Sequence, residues 1–93
     1  MTHEQLNTLI DVLGKVLFSY FKKAMAPTIN ILLSEIEKQI EDPAILADEY
    51  WKFQIRTFVE HLVKTGTLKR VGRLGKRFYV PGDKYDSESE GRI

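Results

Sequence analysis

The side chains best placed to do chemistry in this sequence are cationic. From Lys52 to Lys84 there are nine basic residues (Lys52, Arg56, Lys64, Lys69, Arg70, Arg73, Lys76, Arg77 and Lys84) against two acidic ones, Glu60 and Asp83. Five of the nine, and no acid, lie between Gly66 and Val80. Residues 1–51 have the opposite balance, with four basic and eight acidic side chains, so the formal net charge of +1 conceals a strong asymmetry. Clustered Lys and Arg suit a partner made of phosphates, because each contact releases a condensed counterion. The plainer explanation is a solvated hairpin edge kept from aggregating by its charges. That accounts for some of the charge, but not for the exclusion of acids from this stretch in a chain whose first half is acidic.

Other kinds of chemistry lack their residues. With no cysteine there is neither a disulfide framework nor a thiolate metal site, and His3 and His61 have no second ligand at metal spacing. Gly72 and Gly75 sit among basic residues, yet the order of glycine-rich loop, Lys-Ser/Thr and helix that cradles a nucleotide is missing. Ser19, Ser34, Ser87 and Ser89 lie in no nucleophile elbow, and no two carboxylates are spaced for acid-base work. The expectation is a protein that is not an enzyme, with no metal, no cofactor and no small-molecule ligand. The opening residues, Met1-Thr2-His3-Glu4, lack the basic-then-apolar pattern of a signal peptide, and no apolar run reaches the roughly 18 residues of a membrane span. A cytoplasmic location is expected.

The elements that would position these charges follow from periodicity. Between Glu4 and Lys23, Leu6, Leu9, Ile10, Leu13, Val16, Leu17, Tyr20 and Phe21 recur at spacings of three and four, which predicts an amphipathic helix ended by Ala26-Pro27. Ile29, Leu32, Leu33, Ile36 and Ile40 predict a second, ending at Glu41-Asp42-Pro43. Asp42 and Pro43 form a helix-start signal for the third. In it Trp51, Ile55, Phe58, Val59, Leu62 and Val63 make one stripe, and Phe53, Arg56, Thr57, Glu60 and Lys64 lie opposite. Asp48 is a second candidate cap, which would split this segment into a short turn and a helix over residues 49–64. Gly66 is the expected left-handed terminator. Thr67–Gly72 and Lys76–Val80, flanking Arg73-Leu74-Gly75, predict a hairpin. Leu68 and Val71 cannot both face inward in a flat strand, so Gly72 marks either a bulge or the start of the turn.

This order of helix, helix, longer helix, glycine, strand, basic turn and strand resembles the winged-helix superfamily and is similar to small bacterial and archaeal MarR-like regulators. The most specific residues are Phe58-Val59-Glu60-His61-Leu62-Val63-Lys64-Thr65-Gly66-Thr67-Leu68-Lys69-Arg70, followed by Gly75-Lys76-Arg77-Phe78-Tyr79-Val80-Pro81. The resemblance implies an α+β fold: a three-helix winged helix-turn-helix over residues 1–84 with a C-terminal two-stranded β-hairpin wing. Residues 85–93 would follow as a polar, acidic tail without fixed structure. It also implies sequence-specific binding of double-stranded DNA by a small transcriptional regulator, with the third helix in the major groove and the wing on the backbone or in the adjacent minor groove. By position, Lys52, Gln54, Arg56 and Thr57 would face DNA. Arg56 is best suited to a base edge, because its planar fork matches the two acceptors of guanine. Arg73, Lys76 and Arg77, around the flexible Gly75, would hold phosphates, with Lys64, Lys69 and Arg70 completing the set. Asp48, Glu49 and Glu60 would repel phosphate, unless the first two act as helix-start charges.

A two-fold partner is also implied, since one recognition helix covers too few base pairs to be selective. The first helix, through Leu6, Leu9, Val12, Leu13, Val16 and Phe18, is the expected homodimer interface. The alternative function is a winged-helix module that docks an acidic protein. RNA is a third and weaker option, because the sequence offers no exposed aromatics for stacking beyond Phe53 and Tyr79.

Overall fold

Three of the four helix starts in this chain are set by side chains that accept the backbone N–H groups left free in a first turn. In the computed structural model, which describes residues 1–93, Thr2 opens α1 (His3–Lys22). Its hydroxyl accepts from the Gln5 amide while the Gln5 side chain accepts from the Thr2 amide. Thr28 opens α2 (Ile29–Gln39) by accepting from Ile31. Asp42, followed by Pro43, opens α3 (Pro43–Ala47) by accepting from Ala44.

The segment after Pro43 is two helices, so the chain has four rather than three. The Asp48 carboxylate accepts from the Tyr50 amide at 2.9 Å, the chain turns, and α4 (Trp51–Thr65) follows. Asp48 thus gives the backbone a local partner that competes with helix continuation. Packing requires the break as well. Ile45 and Trp51 are both buried, yet six residues along one unbroken helix would set them about 120° apart. Gly66, at φ 91°, ends α4 as expected.

A hairpin follows, formed by β1 (Leu68–Arg73) and β2 (Lys76–Pro81). Its register runs without interruption from Leu68 opposite Pro81 to Arg73 opposite Lys76, so Gly72 marks neither a bulge nor a turn. Leu68 points inward and Val71 outward. Leu74 and Gly75 alone make the turn, both with positive φ (51° and 76°), as a type I′ connection requires. For Gly75 this is free of strain; for Leu74 the left-handed backbone costs about 1–2 kcal/mol.

The four helices and the inward face of the hairpin enclose one core. Leu9, Leu13, Leu17, Leu32, Ile36, Ile45, Ile55, Val59 and Leu68 are almost completely buried, with Trp51 and Tyr79 at its margin. The hairpin is tied to the connection between α1 and α2, because the Tyr79 amide donates to the Pro27 carbonyl at 2.9 Å. β2 therefore lies between β1 and the chain at Pro27. No helix is long and apolar enough to cross a membrane.

Three of the six residues expected at a dimer interface, Leu9, Leu13 and Val16, are at most 1% exposed within a single chain and present nothing to a second copy. Val12 packs against the same core, and Leu6 is half-buried. Phe18 lines a groove with Phe21, Pro81 and Tyr85 of the same chain. The reason is topological: α1 contacts α2, α4 and the C-terminal segment, so its apolar stripe is consumed within the fold.

The C-terminal residues, polar enough to predict disorder, fold back along α1. The Tyr85 ring meets Phe21 edge-to-face with centroids 5.1 Å apart. Ile93 packs against the core, and Gly91 lies so close to Gly14 that a Cβ at residue 14 would collide with the Gly91 carbonyl. Tyr85, Gly91 and Ile93, scattered through an otherwise polar segment, make its contacts with α1 and the core.

Candidate nucleic-acid interface

α4 turns Trp51, Ile55, Val59 and Leu62 into the core, which leaves Lys52, Phe53, Arg56, Thr57, Glu60 and Lys64 exposed. Gln54 departs from the expected set. It is half-buried and, with Thr57, Phe58 and His61, borders a groove of about 360 Å³ against Leu6 and Ile10 of α1. Its position on the helix places it beside α1 rather than on the outward face. Lys52 lays its ammonium over the ring of the buried Trp51, 5.7 Å from the centroid.

On the hairpin the alternation of side chains sorts the charges. Leu68, Arg70 and Gly72 share the inward face with Pro81, Tyr79 and Arg77; Lys69, Val71 and Arg73 share the outward face with Val80, Phe78 and Lys76. Arg70 differs from the other cations. Its guanidinium forms an ion pair with Glu60 of α4 and lies over its cross-strand neighbour Tyr79, 5.8 Å from the ring centroid. Arg70 thus fastens the hairpin to the helix, and Glu60 is neutralised rather than facing a polyanion. Tyr79 is buried beneath Arg70, so it offers no stacking face.

The Arg70–Glu60 pair also sets the direction of travel. β1 returns antiparallel to α4, with residue 70 beside residue 60. Four residues back along the helix is Arg56, about 6 Å away at 1.5 Å per residue; two residues further along the strand is Gly72, about 6.6 Å at 3.3 Å per residue. A helix and strand running side by side from this point would set the Gly72–Arg77 pair level with Arg56 and the Leu74-Gly75 turn level with Lys52. Lys52, Arg56, Arg73, Lys76 and Arg77 are all exposed, and this spacing sets them on the same side of the Arg70–Glu60 pair. Lys64 lies on the last turn of α4, at the far end. Lys84 is there too, with its stem beside Gly66. Lys69 lies between the two groups.

Of the nine basic side chains from Lys52 to Lys84, only Arg70 has an acidic partner. Of the three nearby acids that ran against the sequence reading, Asp48 caps the turn before α4 and Glu60 is paired. Glu49 alone remains exposed and free.

Two exposed groups at this end were not singled out from sequence. Tyr50, immediately before α4, is 69% exposed, and Leu74 is 100% exposed. The signal for Leu74 was present, since a two-residue turn between strands must project its first central side chain. No protein-family model, curated protein or solved structure matches this chain.

Proposed function

We propose that the chain is a winged-helix module that binds duplex DNA sequence-specifically, as a small transcriptional regulator does. In this reading α4 lies in the major groove and the β1–β2 hairpin is the wing. α2 and α4 are the paired helices of a helix-turn-helix, α3 occupies the turn between them, and the chain at Pro27 stands where a third strand would flank the wing. The observation that carries the proposal is a set of exposed, unpaired cations on adjoining elements, Lys52 and Arg56 from the helix and Arg73, Lys76 and Arg77 from the wing, with Glu49 the one free acid near the start of that helix. A protein that needed these charges only for solubility would intersperse both signs. Arg56 is the group for a base edge, and the wing cations are for phosphate oxygens. Two chains on a palindromic site would have to meet through a surface other than the buried part of the α1 stripe.

The second reading, a module that docks an acidic protein, is favoured by one feature. Val71, Phe78 and Val80 on the outward hairpin face, with Ala24 and Ala26, border an apolar groove of about 370 Å³ beside Arg73. Selection of bound sites from random duplexes separates the two. A converged motif is expected. Absence of enrichment, with wild-type protein that is folded and at low salt, would discard the DNA reading in favour of the docking module.

A further inference from the structure

We propose that Leu74 is an apolar wedge that enters the minor groove between base pairs and bends the duplex. The inference rests on the duplex-binding reading and adds the contact made by the wing tip.

Neither local geometry nor packing accounts for a leucine at this position. Its side chain is 100% exposed, and its φ of 51° lies in the left-handed region, where asparagine or glycine is favoured for the first residue of a type I′ turn. Exposure and backbone both oppose leucine, so folding gains nothing from it.

The surroundings of Leu74 fit a narrow cleft lined with phosphate. Arg73 and Lys76 form the last cross-strand pair below it, Arg77 follows, and none of the three has an acidic partner. Gly72 and Gly75 leave open space around the backbone, with no atom within 4 Å of where a Cβ would stand. The tip is consequently a thin two-residue loop, ended by one branched apolar group and flanked by cations. The B-form minor groove is about 6 Å wide, too narrow for a helix but open to such a tip. Apolar side chains inserted there unstack a base step and kink the duplex away from themselves, while basic neighbours hold the phosphates on either side. The other large apolar groups at this end, Tyr50 and Phe53, stand at the start of α4, on the broad element assigned to the major groove. An anionic membrane would also attract a basic tip, but one leucine supplies little apolar area when even a whole acyl chain anchors a protein only reversibly.

The test compares wild type, Leu74→Asn and Leu74→Met on short duplexes labelled at both ends for energy transfer, with a deformable central TA step or a stiff A-tract. Asparagine suits the turn, so Leu74→Asn should melt at or above the wild-type temperature; methionine keeps an unbranched apolar tip. Wild type and Leu74→Met are expected to bend the TA duplex within the roughly 20–90° range of wedge-inserting proteins. Leu74→Asn should bind it about tenfold more weakly, a loss of about 1.4 kcal/mol, and leave it straight. Equal affinity and equal bend for wild type and Leu74→Asn would overturn the wedge while leaving duplex binding in place. So would wild-type binding without a bend. Leu74-dependent partition onto phosphatidylserine vesicles, with Leu74-independent DNA binding, would replace the wedge with a lipid contact. Failure of folded wild type to bind either duplex at low salt would overturn the duplex-binding reading itself.

Discussion

At the scale of single residues, the molecule separates cations that hold the fold from cations left free. Arg70 holds the fold. Its pair with Glu60 is half-exposed and worth at most about 1 kcal/mol, so its consequence is orientation of the wing more than stability. Arg56 is free. Arg56→Ala should cost on the order of 1–3 kcal/mol on a preferred duplex and much less on random sequence, relaxing preference at one position per bound helix. Competition binding on both duplexes measures it, and equal losses would show that α4 is not the reading element. Tyr85 carries a different prediction. Desolvation by burial, reinforced by the negative charge of Asp86, raises its phenol above the usual value of 10. The folded state therefore holds the proton more tightly than the unfolded chain. The stability linked to this proton is fully present below pH 10 and is lost as pH rises through the folded-state value. Thermal unfolding followed above pH 9 should show wild type losing stability with rising pH and Tyr85→Phe losing less; parallel curves would remove Tyr85 as the cause.

At the scale of elements, α4 and the hairpin are joined through Arg70 and Glu60, and the proposed function assigns them different duties. α4 is anchored by four buried side chains, whereas the wing beyond Arg70 has exposed residues from Val71 to Arg77. Replacing both Lys76 and Arg77 with alanine should weaken binding to preferred and random duplexes alike. It should also reduce the steepness of the log-log salt slope by about 0.9 per lost phosphate contact. Specificity should survive, which distinguishes this double variant from Arg56→Ala. The split between α3 and α4 was half legible before folding: Asp42-Pro43 marks one start plainly, and Asp48 marks a second. Deciding between one helix and two needed the knowledge that Ile45 and Trp51 point into the same core.

At the scale of the whole molecule, charge asymmetry and compactness set the expected thermodynamics of binding. If Arg56 reads a base and Lys52, Arg73, Lys76 and Arg77 hold phosphates, the log-log salt slope should be near −4 for one chain and near −7 for two. A flat dependence would exclude the electrostatic interface altogether. The slope, set beside sedimentation of the protein alone, also tests pairing. Because Phe18 is partly buried in a groove it lines with Phe21, Pro81 and Tyr85 of its own chain, Phe18→Asp should lower the melting temperature without changing the sedimenting mass. A mass that falls from twice 10.8 kDa to 10.8 kDa on this substitution would instead place α1 at a dimer interface.

What the sequence determined by itself was everything governed by near neighbours. The apolar periods of α1, α2 and α4, the Asp42-Pro43 start and the Gly66 terminator all act within a few residues, and each appears in the structure where the pattern put it; the hairpin appears too, but with its register running through Gly72. The concentration of positive charge was equally plain, because counting needs no coordinates. Only the tertiary structure decided which surfaces remain available. Leu9, Leu13 and Val16 look the same in sequence whether they face a second copy or the chain's own core, and packing against α2 and α4 settles the matter by burial. Arg70 and Arg73 are indistinguishable by type. Strand alternation and the return of β1 along α4 bring only the first to Glu60, and leave the second beside Leu74 at the exposed tip.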